Sequence, residues 1–126
     1  MGPAVDSESL AAFVRQEIAD YRYEPPSSPT IGVPWPAEKV QRYVERLAQS
    51  LVKPYLARFE LRDTFEQTVR EPAEYGEYWV VAEGRGGYVE YYDPGRKEFG
   101  LAVRSEVGPP VSIGVRGDLV GVYCAI

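Results

Sequence analysis

From Glu77 to the C-terminus the chain alternates β-rich runs with very short connections, and this grammar restricts the fold more than any other feature of its 126 residues. The runs are 78–83, 88–92, 98–104, 111–115 and 119–125. Between them stand Gly84-Arg85-Gly86-Gly87, Asp93-Pro94-Gly95-Arg96, Gly108-Pro109-Pro110 and Arg116-Gly117-Asp118. Glycine, proline and aspartate supply the backbone angles of tight turns. Connections this short join antiparallel neighbours, because a parallel crossover needs about a dozen residues or more.

The N-terminal part follows the helical period instead. Asp6 is the expected N-cap of a helix over 6–23, with Val5 and Leu10 spaced as a hydrophobic staple and Leu10, Phe13, Val14, Ile18 and Tyr21 recurring every three or four residues. Pro25 and Pro26 stop it. The proline-rich stretch that follows is expected to run extended and to be pinned by Ile31, Val33 and Trp35. Its Pro26-Ser27-Ser28-Pro29 has the PxxP spacing of a proline-rich ligand, but those apolar residues argue for a connection packed on its own domain. Pro36 opens a second helix, whose stripe of Val40, Tyr43, Val44, Leu47 and Leu51 extends to about Lys53. After Pro54 the period changes: Ala57, Phe59 and Leu61 alternate with Arg58, Glu60 and Arg62, as in a half-buried strand.

The expected fold is therefore α+β, with two N-terminal helices packed on a mainly antiparallel meander sheet of five to six strands. Residues 1–126 form one domain, helical over about 6–53 and sheet over about 55–126, with Phe99, Leu101, Val103, Ile113 and Val115 in its core. Meander grammar predicts neighbours but leaves open where the strand around Phe59 inserts.

Composition narrows the chemistry. Histidine is absent, which removes the commonest general base, the commonest metal ligand and any Ser-His or Cys-His pair. Cys124 is the single cysteine, so neither an internal disulfide nor a two-thiolate metal motif can form. Within an apolar run, and with no cation adjacent to it, it reads as a structural thiol. No cofactor motif is present, and the expectation is a non-enzyme without cofactor or metal. The net charge is −5 and the basic residues are scattered, which argues against nucleic acid. No apolar run is long enough to span a membrane and no basic-then-apolar leader opens the chain, so a cytoplasmic setting is expected.

The segment 71–93 concentrates acid and aromatic residues. Glu71, Glu74, Glu77, Glu83, Glu90 and Asp93 face Arg85 alone among the charged groups, interleaved with Tyr75, Tyr78, Trp79, Tyr88, Tyr91 and Tyr92. Rigid aromatic rings with steering carboxylates suit a partner rich in Arg and Lys. Alternation places Tyr88, Glu90 and Tyr92 on one face, so if Glu90 points outward both tyrosines do. Tyr88, Glu90, Tyr92 and Asp93 are the central candidate partner-binding residues, with Glu77, Trp79 and Glu83 beside them. A core role for half of these rings is the competing reading.

Other motifs reduce to turns or edges. Glu83 and Glu90 flank a hairpin without an evident cleft for paired carboxylate catalysis. Gly84-Arg85-Gly86-Gly87 lacks the lysine, the hydroxyl and the following helix of a phosphate loop. Arg116-Gly117-Asp118 spells an adhesion tripeptide, yet Gly-Asp at a hairpin tip is ordinary turn chemistry.

In size, acidity and aromatic-acid content the chain resembles, as a class, the small acidic bacterial immunity proteins that block a toxin's basic active site. That resemblance implies an inhibitor whose partner is a basic protein. Two other functions are compatible with the residues: a small-molecule binder or enzyme with a pocket lined by Trp35, Tyr43, Tyr78 and Arg104, and an assembly subunit that self-associates through a terminal strand edge.

Overall fold

Asp6 caps the first helix, α1 (Ser7–Asp20): its carboxylate accepts the Ser9 N–H at 2.7 Å, and Ser9 reciprocates toward the Asp6 backbone. The computed structural model describes residues 6–23, 36–69 and 71–125, so the Val5 staple and the proline-rich connection with Ile31, Val33 and Trp35 lie outside the described residues. The second helix, α2, runs Ala37–Ser50 directly after Pro36. Leu10 and Val14 of α1 and Val40 and Leu47 of α2 are buried, the stripes that the helical period marks.

Chain direction changes at Ser50, earlier than expected, because Leu51–Pro54 already belongs to a strand. The strands are β1 (Leu51–Leu61), β2 (Glu74–Glu83), β3 (Tyr88–Asp93), β4 (Glu98–Val103) and β5 (Val111–Gly117). Pro54 sits where the β1–β2 register shifts, a position that spares the ladder its missing N–H. A short α3 (Phe65–Val69) links β1 to β2, and a single 3₁₀ turn (Arg85–Gly87) links β2 to β3.

Each strand pairs antiparallel with the next, as the short turns dictate, and the sheet then closes into a five-stranded barrel through β1 and β5. Four successive reversals return β5 to the direction of β1, so the closing seam has to be parallel. It rests on the Glu60–Val111 pairing, the Glu60 N–H to Pro110 O bond at 2.9 Å and the Arg62 N–H to Ser112 Oγ bond at 2.9 Å. The sheet is therefore mixed, and the strand around Phe59 inserts between β2 and β5.

Two apolar layers result. Phe59, Leu61, Val80, Val89, Tyr91 and Ala102 fill the barrel. Outside it, Tyr92, Phe99 and Leu101 pack beneath the helices with Leu10, Val14 and Leu47. Of the expected core residues Phe99 and Leu101 are buried, Val103 and Val115 are half-buried, and Ile113 is 41% exposed on the outer surface.

The last expected strand is a helix, α4 (Leu119–Tyr123). Asp118 accepts the Gly121 N–H at 3.1 Å as its N-cap, and Leu119, Val120, Val122 and Tyr123 are buried against the sheet and α2. The β-branched composition of this run favours a strand, but the cap and the burial of its side chains over β4 prevail. Arg116-Gly117-Asp118 is correspondingly a strand-to-helix junction and no hairpin tip, with the Arg116 side chain engaged by Asp63 and the exposed Asp118 capping α4.

Inside the barrel Gly100 meets the Tyr91 ring so closely that an added Cβ would overlap its Cζ and hydroxyl. Tyr91 cannot yield, being fully buried with its ring 4.8 Å from Phe59 and 4.9 Å from Tyr78. Gly100→Ala should therefore cost about 1–3 kcal/mol of stability. The cost should shrink when Tyr91→Phe removes the hydroxyl, which a double-mutant cycle in urea would measure.

Candidate functional site

The structure separates the seven residues that sequence pattern groups as a partner-binding face. Glu90 is fully buried, Tyr92 is 9% exposed and Asp93 is 6% exposed, while Tyr88 is half-buried against the layer beneath the helices. Alternation along β3 holds as expected, with Tyr88, Glu90 and Tyr92 on one side. That side faces α1, α2 and α4 instead of water, and the other side lines the barrel. A strand sandwiched in this way has no solvent face, so the outward orientation expected of Tyr88, Glu90, Tyr92 and Asp93 is corrected.

Burial gives the β3 acids different surroundings. Neither carboxyl oxygen of Glu90 has a hydrogen-bond partner among the described residues. Desolvation, reinforced by Asp118, pushes its pKa well above the usual carboxylate range. The same environment raises the Cys124 thiol, through burial first and then the charges of Asp118 and Glu90, so the thiolate is disfavoured as the apolar run predicts.

Asp93 belongs to an ion cluster at the end of the barrel. Arg116, on β5, donates to Asp93 at 3.0 Å and Glu98 at 3.3 Å through Nη1 and to Asp63 at 3.1 Å through Nη2. Its guanidinium carbon lies 5.6 Å from the Tyr91 ring centroid and 5.7 Å from that of Tyr78. Burial alone would lower the Arg116 pKa, but the Tyr91 hydroxyl and the hydrogen bonds to Asp63 and Asp93 hold it above its ordinary value. One cation thus ties β3, β4, β5 and the connection that follows β1 together where the barrel closes. This is a structural clasp, with no nucleophile or base aimed at open space.

The remaining candidates reach the surface. Glu77 is exposed and Trp79 half-buried on the outer face of β2, opposite Arg58 and Leu56 of β1. Leu56 is 53% exposed and Tyr75 41% exposed on this same face, and the Arg58 guanidinium lies 4.0 Å from the Tyr75 ring centroid. Glu83 is at the opposite rim, paired with Arg104 and accepting the Tyr55 hydroxyl at 3.0 Å. Sequence reasoning placed Glu77, Trp79 and Glu83 second and omitted Leu56, Arg58 and Tyr55. The alternation of Leu56 and Arg58 about inward Ala57 was the available signal.

The pocket expected from Trp35, Tyr43, Tyr78 and Arg104 does not assemble. Tyr43 contacts Tyr123 on the helical side, Tyr78 stacks inside the barrel and Arg104 sits on the rim, while Trp35 lies outside the described residues. Among the described residues no group of three His, Cys, Asp or Glu side chains could hold a metal ion, and no helix is long and apolar enough to cross a membrane.

Fold and site together define a class only: a small α+β protein in which helices cover one side of a five-stranded closed barrel. No family model matches the chain, and neither a curated protein nor a solved structure does.

Proposed function

We propose that this chain is a non-enzymatic protein-binding domain that engages its partner through the outer face of β1–β2. The observation that supports it is the cluster of Leu56, Tyr75 and Trp79 on that face, with the two most exposed of them interleaved with Arg58 and Glu77. Large, stiff apolar side chains open to water beside charges are the composition of a recognition surface. The net charge of −5 and the exposed Glu71 and Glu77 favour a partner with a basic rim, such as a cytoplasmic toxin or enzyme that the domain would neutralise.

Leu56→Glu combined with Glu77→Lys changes only exposed positions and should leave folding intact. With the wild-type chain as bait in the source-cell lysate, a stoichiometric partner should be retained at low salt and lost as ionic strength rises. The double variant should retain at least about tenfold less of it. Equal retention by both baits, or recovery of no partner by the wild type, would overturn this reading.

A further inference from the structure

We propose that the hollow between the C-terminal half of α2 and the β2–β3 turn binds a compact phosphate-class anion carried on a small molecule. A cavity of about 520 Å³ opens there, with Arg46, Gln49 and Ser50 on one wall, Glu83 and Arg85 on the other, and Tyr123 at its base. A smaller hollow of about 90 Å³ adjoins it and shares Arg46, Arg85 and Tyr123.

What marks this place is two arginines without an ion pair that line the same cavity. Arg62, Arg96, Arg104 and Arg116 each have a carboxylate within 4.0 Å. Arg46 and Arg85 have none among the described residues, although they converge on one cavity. Its only acid among the described residues, Glu83, is already engaged by Arg104 and the Tyr55 hydroxyl. The hollow is thus a site of positive potential on a chain of net charge −5.

The fold positions the Arg46 guanidinium and the backbone that carries Arg85. Arg46 lies over the Tyr43 ring, 5.3 Å from its centroid. Arg85 stands on a turn pinned by the Gly84 N–H to Tyr88 O and Arg104 N–H to Gly87 O bonds, both 2.8 Å, and Gly86 adopts the positive φ of 67° that lets the chain reverse there. At the base, Ser50 Oγ donates to Arg46 O at 2.7 Å, so the Tyr123 hydroxyl, 3.2 Å away, donates to Ser50. Those hydroxyls are spent on the floor, which leaves recognition to the two arginine forks and the Gln49 amide. Two planar forks from separate elements match a tetrahedral group with several oxygens better than a single carboxylate. The turn itself has none of the phosphate-loop apparatus; the side chains would hold the anion. Two cations and an acidic surround are too little for a nucleic-acid backbone, and the volume admits a small phosphorylated molecule.

Titration of the full chain with inorganic phosphate and then pyrophosphate, at constant ionic strength and followed by two-dimensional NMR, tests the site. Saturable one-to-one binding is expected, with shifts confined to Arg46, Gln49, Arg85 and Tyr123 and tighter binding for pyrophosphate. Arg46→Gln and Arg85→Gln should each weaken it by about tenfold, whereas Arg96→Gln, on a distant turn, should leave it unchanged. Non-saturable shifts, shifts spread over the surface, or equal loss in all three variants would overturn the proposal. Tighter binding of a single-stranded oligonucleotide than of pyrophosphate would overturn the small-molecule assignment.

Discussion

Arg116→Met should cost about 3–5 kcal/mol of folding stability, because it leaves Asp63 and Asp93 buried without their shared cation. Their side chains are only 12% and 9% exposed, and among the described residues Arg116 is the sole cation within ion-pairing distance of either. The aliphatic stem of methionine keeps the packing against Tyr78 and Tyr91, so most of the loss reports charge. Arg116→Lys should fall between, since one ammonium cannot replace a fork that reaches three acids. Urea unfolding at neutral pH measures these losses. Asp63→Asn with Asp93→Asn in the same chain should restore part of the deficit of Arg116→Met. A loss below about 1 kcal/mol would mean that water, and not Arg116, carries those carboxylates.

Replacing Glu90 should do the opposite. Glu90→Met keeps the side-chain length and removes two buried oxygens that have no partner among the described residues, so the variant should be more stable than the wild type at pH 7 by about 1–3 kcal/mol. The sign of the pH dependence follows from the raised carboxyl pKa. The folded state holds the proton where the unfolded state has released it, so the contribution of Glu90 is fully present below the ordinary glutamate range. It is lost as pH rises toward the folded-state value, at up to about 1.4 kcal/mol per pH unit. The advantage of Glu90→Met should therefore widen with pH from about pH 4.5 upward. Thermal or urea unfolding of both proteins across pH 4 to 8 would show it, and a constant or reversed difference would place an unrecognised cation beside Glu90.

These two residues also show where sequence pattern loses its reach. Glu90 and Asp93 lie in the segment 71–93, whose net charge equals the −5 of the whole chain, and one-dimensional reading counts every acid there as solvent charge. In the fold Glu90 is sealed under the helices, Asp93 is neutralised by Arg116 and Glu83 by Arg104. The cation that matters to Asp93 is 23 residues away, and that separation carries no local signal. Glu77 and Trp79 keep a solvent-side position because β2 is open where β3 is covered. Nothing in the alternation of either strand distinguishes the two cases.

Local chemistry legible in the chain fixed the two helical stripes, the Asp6 cap, the turns that join β2 to β3, β3 to β4 and β4 to β5, and the antiparallel pairing of each of the five strands with its successor. All of these depend on backbone angles and on periods that neighbouring residues impose on one another. Tertiary structure decided the closure of the sheet, the burial of β3 on both sides and the helical state of 119–123. An odd number of strands in a closed meander forces a parallel seam between its ends, and the cover that the helices then supply removes the water to which an alternating strand would have shown its polar side. The alternation is a property of the chain, but which of its two faces meets solvent depends on what packs against it, and that is settled only when distant segments meet.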